Sequence, residues 1–281
     1  MDVYYIDGDF VEDDKASISV KDLAVLRGFG VFDFLITYNR RPFKLQEHVA
    51  RLENSARNIG LSIHHTNAEI CSIVEETVRR NAHHDESNVR IVCTGGISSD
   101  GVTPEGNGKL MVMVTPKHVL PGWWYTRGAK IITVDIERFL PDAKSTSYLS
   151  TVYALQMANK ADAIEAVYID RNQRVLEGTT SNFFFFKGGR LITAGEDILP
   201  GITRGVILEL AKGRFEVEIR DIDRSELADM NEAFITASNK EVVPVIQVDD
   251  LIVNGGKPGE KTGEIMRLFR ETTAAFGQGQ T

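Results

Sequence analysis

Cysteine is nearly absent from this chain: Cys71 and Cys93 are the two in 281 residues. Each sits in an apolar-patterned segment, with no disulfide framework and no metal-type spacing. They read as reduced core thiols, the usage expected of a cytosolic protein. Positive charge is in deficit too. Lys and Arg number 32 against 40 Asp and Glu, a formal net charge of −8, so the basic stripe that a nucleic-acid partner demands is missing. No block of like charge marks a disordered tail. No apolar run approaches the roughly 20 residues that span a bilayer. The opening MDVYYIDGDFVEDD is acidic and lacks the charged-then-apolar pattern of an export signal. Repeats and low-complexity segments are absent as well. The expectation is a cytoplasmic chain with neither nucleic acid nor membrane as a partner.

What remains is an ordinary globular composition, 42% hydrophobic and 26% charged, long enough for one large domain or two. YYIDG and Phe32–Tyr38 read as strands. Leu45, Val49, Leu52, Ala56 and Ile59 recur at steps of four and three, which predicts an amphipathic helix over 45–59. A second helix covers about 67–82, up to the polar cluster NAHHDES. VRIVCTGG and KLMVMVTP read as paired strands around a long glycine-rich loop, ISSDGVTPEGNG. VLPGWWYTRG reads as a linker. Beyond it come a strand (AKIITVDI), an irregular ERFLPDAKSTS, a helix over about 149–162 and the strand EAVYID. A hairpin at KGGR, a helix opening near Ile202, three further strands and a closing helix complete the pattern. The architecture expected is α+β, or mixed α/β, in two domains. The domains are a smaller N-terminal one over 1–118, a linker over 119–127 and a strand-rich C-terminal one over 128–281.

Three features carry chemistry. LEGTTSNFFFF puts Glu177, a glycine and three hydroxyls at the mouth of a strand, Phe183–Phe186, that is apolar on both faces. LPGITR opens a helix whose first N–H groups have no partners of their own and suit an anion such as a phosphate at Ile202 and Thr203. ITASNKEV adds hydroxyls and amides after another strand. Taken alone, Arg51 reads as part of a solvated helix face and Lys144 as one more exposed lysine.

In their order and spacing, EGTTSNFF, LIT and LPGITR resemble the signature of the class IV pyridoxal-phosphate (PLP) transaminases of fold type IV. The resemblance extends over nearly the whole chain, through RGFGVFD, EHVARL, DAKSTSY and FITASNKEVVPV. One departure is the loop Ala194–Ile198, a residue or two short of the family pattern. The resemblance implies PLP as cofactor and Lys144, in DAKS, as the catalytic Schiff-base lysine. It implies Glu177 beside the ring nitrogen and Arg51 on the phosphate. The backbone amides of Ile202 and Thr203 join Arg51 there, with Ser238 and Asn239 as further contacts. Thr180 falls within the same cofactor-binding segment, and Tyr148 is placed to reach the phenolic oxygen. The residue types suit the task. A lysine amine with a pKa near 10.4 is a poor nucleophile until it is held as an imine or its pKa is lowered. A carboxylate beside a pyridinium has its counter-charge, whereas a lone buried one would take up a proton.

The substrate pattern departs from two well-known branches. Where D-amino-acid transaminases of the usual type carry a tyrosine and an Arg-x-His, this chain has Phe32 and Ser98-Ser99-Asp100. Where branched-chain enzymes carry Tyr-x-Arg, it has Asn88-Val89-Arg90. Basic residues available for a substrate carboxylate are Arg27, Arg90 and Lys240. The combination resembles an atypical branch of D-amino-acid transaminases, which implies transfer between a D-amino acid and 2-oxoglutarate or pyruvate. Branched-chain L-aminotransferase and aminodeoxychorismate lyase are the alternatives within the family. The family resemblance also implies a homodimer with Arg27 reaching the neighbour's site; no metal ligands are read in the sequence.

Overall fold

The computed structural model describes residues 1–278. The chain forms two compact units. Among the described residues, one comprises Met1–His118, the short segment Asp142–Tyr148 and residues 273–278; the other comprises Val119–Pro141 and Leu149–Thr272.

The first unit is built on a six-stranded sheet. In chain order its elements are β1 (Val3–Ile6), β2 (Asp9–Glu12), α1 (Leu23–Arg27), β3 (Gly30–Tyr38), β4 (Arg41–Pro42), α2 (Leu45–Asn58), α3 (Asn67–Arg80), β5 (Ser87–Thr94) and β6 (Leu110–Pro116). The strands lie in the order β2-β1-β6-β5-β3-β4. The two helices predicted from apolar spacing are α2 and α3, each within two residues of its expected end. Thr66 and Glu69 close a reciprocal capping box at the start of α3. Leu45, Val49, Leu52 and Ala56 of α2 and Ile70, Val74 and Val78 of α3 bury their side chains with Val31, Leu35, Val89, Ile91, Val112 and Val114 of the sheet.

In the second unit α4 (Trp123–Thr126), β7 (Ala129–Asp135), α5 (Leu149–Lys160), β8 (Glu165–Ile169), β9 (Val175–Gly178), β10 (Asn182–Lys187) and β11 (Arg190–Thr193) follow one another. After them come α6 (Ile202–Ala211), β12 (Val217–Ile219), β13 (Glu232–Ala237), β14 (Glu241–Val248), β15 (Leu251–Ile252) and α7 (Glu260–Ala275). Nine strands form one sheet in the order β12-β11-β10-β13-β14-β7-β8-β9, with β15 on β14. The expected linker is not bare: WWYT makes the single turn α4, because Trp124 and Tyr125 have apolar surface to bury and pack on the core.

The phenylalanine run is the clearest case of pattern becoming packing. Successive strand residues point to opposite faces, so Phe183 and Phe185 join the core beneath α5, whereas Phe184 and Phe186 join the one under α6 and α7. All four are at most 1% exposed. The KGGR turn that follows is a two-residue hairpin. Gly188 and Gly189 have φ of 57° and 88°, and Lys187 pairs with Arg190. Both central residues of such a turn need positive φ, which glycine adopts without steric cost.

Candidate active site

The segment carrying Lys144, expected among the residues after 128, folds with the first unit because it pairs antiparallel with the start of β3. The Phe32 N–H donates to the Lys144 carbonyl at 2.9 Å, the Thr146 N–H donates to the Gly30 carbonyl at 2.9 Å, and Ser145 bridges Val31. From the other side the Lys144 N–H donates to the Ser55 hydroxyl of α2 at 3.0 Å. The backbone is thus held at both its polar groups, and the ammonium lies 4.7 Å from the centre of the Phe32 ring. Tyr148 meets that ring edge to face, with centroids 5.3 Å apart.

Arg51 is not on a solvated face. His48, Arg51 and Ser55 follow one another at steps of three and four, forming a buried polar strip beside the apolar one on α2. The Arg51 guanidinium donates to both oxygens of Asp33, at 2.9 and 2.8 Å, a bidentate pair. The His48 Nδ1 is 2.6 Å from Asp33 Oδ1. Asp33, fully buried in β3, is the residue that sequence reasoning overlooked; its signal was a carboxylate inside the otherwise apolar GVFDFLI. Burial alone would raise its carboxyl pKa. The Arg51 charge and then the His48 ring outweigh burial and hold it well below the usual carboxylate range. Burial lowers the His48 pKa, and the opposing pull of Asp33 only partly offsets this, so the ring is neutral at pH 7.

Both shifts act in the same direction. The unfolded chain takes up protons first at each group, so the stability they confer is full above about pH 6.5 and is lost as pH falls below it. His48 acts first, and Asp33 acts below the ordinary carboxylate pKa. Thermal melts should therefore give a lower midpoint at pH 5.5 than at pH 7.5, and His48→Gln should shrink the difference. A midpoint that rises on acidification would contradict this.

Arg90, paired across the strands with Phe34, is exposed and lies over two rings, 5.4 Å from Phe32 and 5.6 Å from Phe34. One aromatic ring therefore has Lys144 and Arg90 as cationic neighbours. Arg27, at the end of α1, is exposed and donates to the Leu26 carbonyl. In the loop that replaces the Arg-x-His, Asp100 accepts from the Ser98 hydroxyl, from Val102 N and from both the N–H and the hydroxyl of Thr103, which ties the loop to itself.

The second unit gathers the remaining residues. Glu177 is the last residue but one of β9 and is 5% exposed. Its Oε1 accepts from Arg138 Nη1 at 2.6 Å; its Oε2 accepts from Leu199 N at 3.0 Å and from Asn182 Nδ2 at 3.3 Å. Arg138 and Asn182 were not anticipated as partners. They fix the carboxylate against rotation. Asn182 also donates to the Leu199 carbonyl and lies against Gly201, where a Cβ would come within 1.9 Å of the Asn182 amide oxygen. Only glycine fits there. Gly201 begins α6 without a side-chain cap, so the first amides, at Ile202 and Thr203, receive no capping acceptor from it.

Opposite Asn182 on the same face of the sheet is Thr236. Its buried hydroxyl has no hydrogen-bond partner among the described residues. Ser238, half-buried, and Asn239, exposed, lie in the turn just beyond it. An uncapped helix start, an orphaned buried hydroxyl and a rigidly held carboxylate form a donor and acceptor set that fits a phosphorylated, protonatable ring.

The three hydroxyls of EGTTS have a different role. Thr179, Thr180 and Ser181 all donate to Glu165, Thr180 at 2.8 Å and Ser181 at 3.1 Å. Lys240 donates to the same carboxylate at 2.6 Å, with side-chain exposures of 8% and 0%. Lys240 was expected to await a substrate carboxylate; in the structure its charge is met by Glu165. Thr180, expected at the cofactor, has its hydroxyl in this network. Glu165 was missed because its four side-chain partners are 14 to 16 and 75 residues away. A carboxylate at the head of the wholly buried EAVYI was the available signal.

Comparison with known proteins agrees with this chemistry. The family model for class IV amino-transferases matches residues 30–248. The chain is 35% identical to the "Putative branched-chain-amino-acid aminotransferase" of Methanocaldococcus jannaschii, over 97% of each chain. It is 30% identical to a D-alanine aminotransferase of Listeria monocytogenes, again over 97% of each. Among solved structures, the T.th. branched-chain amino acid aminotransferase with pyridoxamine 5'-phosphate superposes with a TM-score of 0.91. That match has 27% identity and covers 98% of this chain and 94% of the other. No helix of the described residues is long and apolar enough to cross a membrane. The chain belongs to the class IV aminotransferases, PLP-dependent enzymes of fold type IV.

Proposed function

We propose that the enzyme moves an amino group between a D-amino acid and a 2-oxo acid such as 2-oxoglutarate or pyruvate. The observation that carries the amino-group transfer, whichever the enantiomer, is the shared Phe32 ring, with the Lys144 ammonium at 4.7 Å and the Arg90 guanidinium at 5.4 Å. An amino acid needs a proton carrier at its Cα and a cation for its carboxylate, and Lys144 and Arg90 are assigned those tasks. PLP, when bound, supplies the electron sink for the carbon that loses its proton. Lys144 anchors the cofactor and then holds the moving proton. Glu177 is assigned to the ring nitrogen, and its fixed oxygens keep that contact from drifting. Arg51, oriented by Asp33, is assigned to the phosphate, as are the amides of Ile202 and Thr203 and the Ser238 hydroxyl.

The D-specific reading is supported by the D-alanine aminotransferases among the relatives and by Asn88 where a branched-chain enzyme carries tyrosine. A second reading, branched-chain L-amino acids, is favoured by Arg90 itself and by the 35% identical relative. Mixing the PLP-loaded enzyme with D-glutamate, L-glutamate and L-leucine in turn, and following conversion of the cofactor to its amine form, separates the two. Conversion by D-glutamate is expected; conversion by the L-amino acids alone would refute the D-reading.

A homodimer is part of the proposal. Leu149, Val152, Tyr153 and Met157 make an exposed apolar face on α5, 38% to 83% accessible, of the kind a partner surface covers.

A further inference from the structure

A second cluster of chemistry-bearing side chains lies in the first unit and takes no part in the proposed reaction. Asp2 Oδ1 lies 3.1 Å from His83 Nε2 and 2.9 Å from His84 Nε2. One ligating atom from each residue lies within 4.8 Å of the others. We propose that Asp2, His83 and His84 form a binding site for a divalent transition-metal ion of the zinc, nickel or cobalt class.

The geometry is imposed from outside the cluster. Asn81, 1% exposed, accepts from the Val3 N–H at 2.9 Å and donates to the Val3 carbonyl at 2.7 Å, which locks the residue after Asp2 to the end of α3. Asp2 itself accepts at its carbonyl from Asp13 N. On the opposite side the His84 N–H donates to the Asn81 carbonyl, and the ring is buried with Nδ1 3.3 Å from the Ser87 hydroxyl. An outer partner on one ring nitrogen is the usual device that leaves the other nitrogen for a metal. The His83 ring packs edge-on against His84 at 4.2 Å between centroids, with its Nε2 directed at the same carboxylate oxygen. The side chain of His83 is half exposed, so water can reach the site and complete the coordination.

Two imidazole nitrogens and one carboxylate oxygen suit zinc, nickel and cobalt, and are too nitrogen-rich for magnesium or calcium, which take oxygen ligands. Coordination would replace the two hydrogen bonds on Asp2 with bonds to one ion and fasten β1 to the end of α3. The site is therefore a structural clip.

The test uses untagged, PLP-loaded full-length enzyme, titrated with Zn²⁺ by calorimetry and followed by thermal melting. One saturable equivalent per chain is expected at this site, with a raised melting midpoint. Asp2→Asn and His83→Gln should each weaken that equivalent at least tenfold, and Ser87→Ala by roughly 10- to 100-fold. The exposed His118 provides the control: His118→Gln should change nothing. Mg²⁺ should not substitute. The buried His84 is left intact because its loss would disturb the fold. Absence of saturable uptake, or uptake that Asp2→Asn and His83→Gln leave unchanged, overturns the proposal.

Discussion

Replacing Lys144 by alanine is expected to abolish transamination while leaving the fold in place. The expectation follows from how the residue is held. Its backbone N–H and carbonyl are engaged by Ser55 and Phe32, and the next two residues are paired with β3. None of these contacts uses the side chain beyond Cβ. The side chain's contact with the Phe32 ring is lost, so stability should fall by about 0.5–1 kcal/mol, far short of unfolding. Activity loses the anchoring amine and the proton carrier together. The proton-transfer role alone contributes about 10²- to 10⁴-fold. Lys144→Arg should be equally inactive, since a guanidinium keeps its proton. A small primary amine added to Lys144→Ala should restore part of the rate if proton transfer is the missing step. Retention of more than a few per cent of wild-type turnover by Lys144→Ala would mean another group does this work.

The second large effect is on stability. Lys240→Met removes the only ammonium paired with Glu165 among the described residues, and leaves a fully buried carboxylate with neutral donors alone, three hydroxyls and the Ala166 N–H. Breaking a buried pair in this way costs about 3–5 kcal/mol, a large share of the 5–15 kcal/mol that holds a typical domain together. The double change Glu165→Gln with Lys240→Met should recover much of that. A neutral amide carries no stranded charge, and its oxygen can still accept from Thr180 or Ser181. Urea denaturation of the two variants measures the difference. A loss below about 1 kcal/mol for Lys240→Met would show that water or a proton already relieves Glu165. The network also bears on function, because Thr179, Thr180 and Ser181 follow Glu177 in the chain. Loosening them loosens the carboxylate assigned to the cofactor ring.

Much of the fold was legible because apolar periodicity is local. The spacing in α2 and α3, the phenylalanine run of β10 and the glycine pair after it each declare themselves within a dozen residues. The polar interior was harder to read. Arg51 looked solvated because a helix pattern shows where apolar residues recur, and the buried polar strip of His48, Arg51 and Ser55 lies just beside them. Asp33 and Glu165 looked like stray carboxylates, since their partners come from other elements. Glu177 was identified by resemblance, but its protein partners were not. The expectation that only a cofactor would answer its charge gave way to Arg138 at 2.6 Å. A long arginine side chain leaves no local signature of where it will reach. The pairing of Asp2 with His83 and His84 was beyond sequence reading for the same reason, with about eighty residues between them.

The central claim, that Lys144 is the residue joined to the cofactor, has a direct measurement. The PLP-loaded enzyme is reduced with borohydride, digested, and its peptides are mapped by mass spectrometry. The account predicts loss of the visible absorption band and a single phosphopyridoxyl label on Lys144. A label on any other lysine, or a reduced protein that carries none, would contradict it.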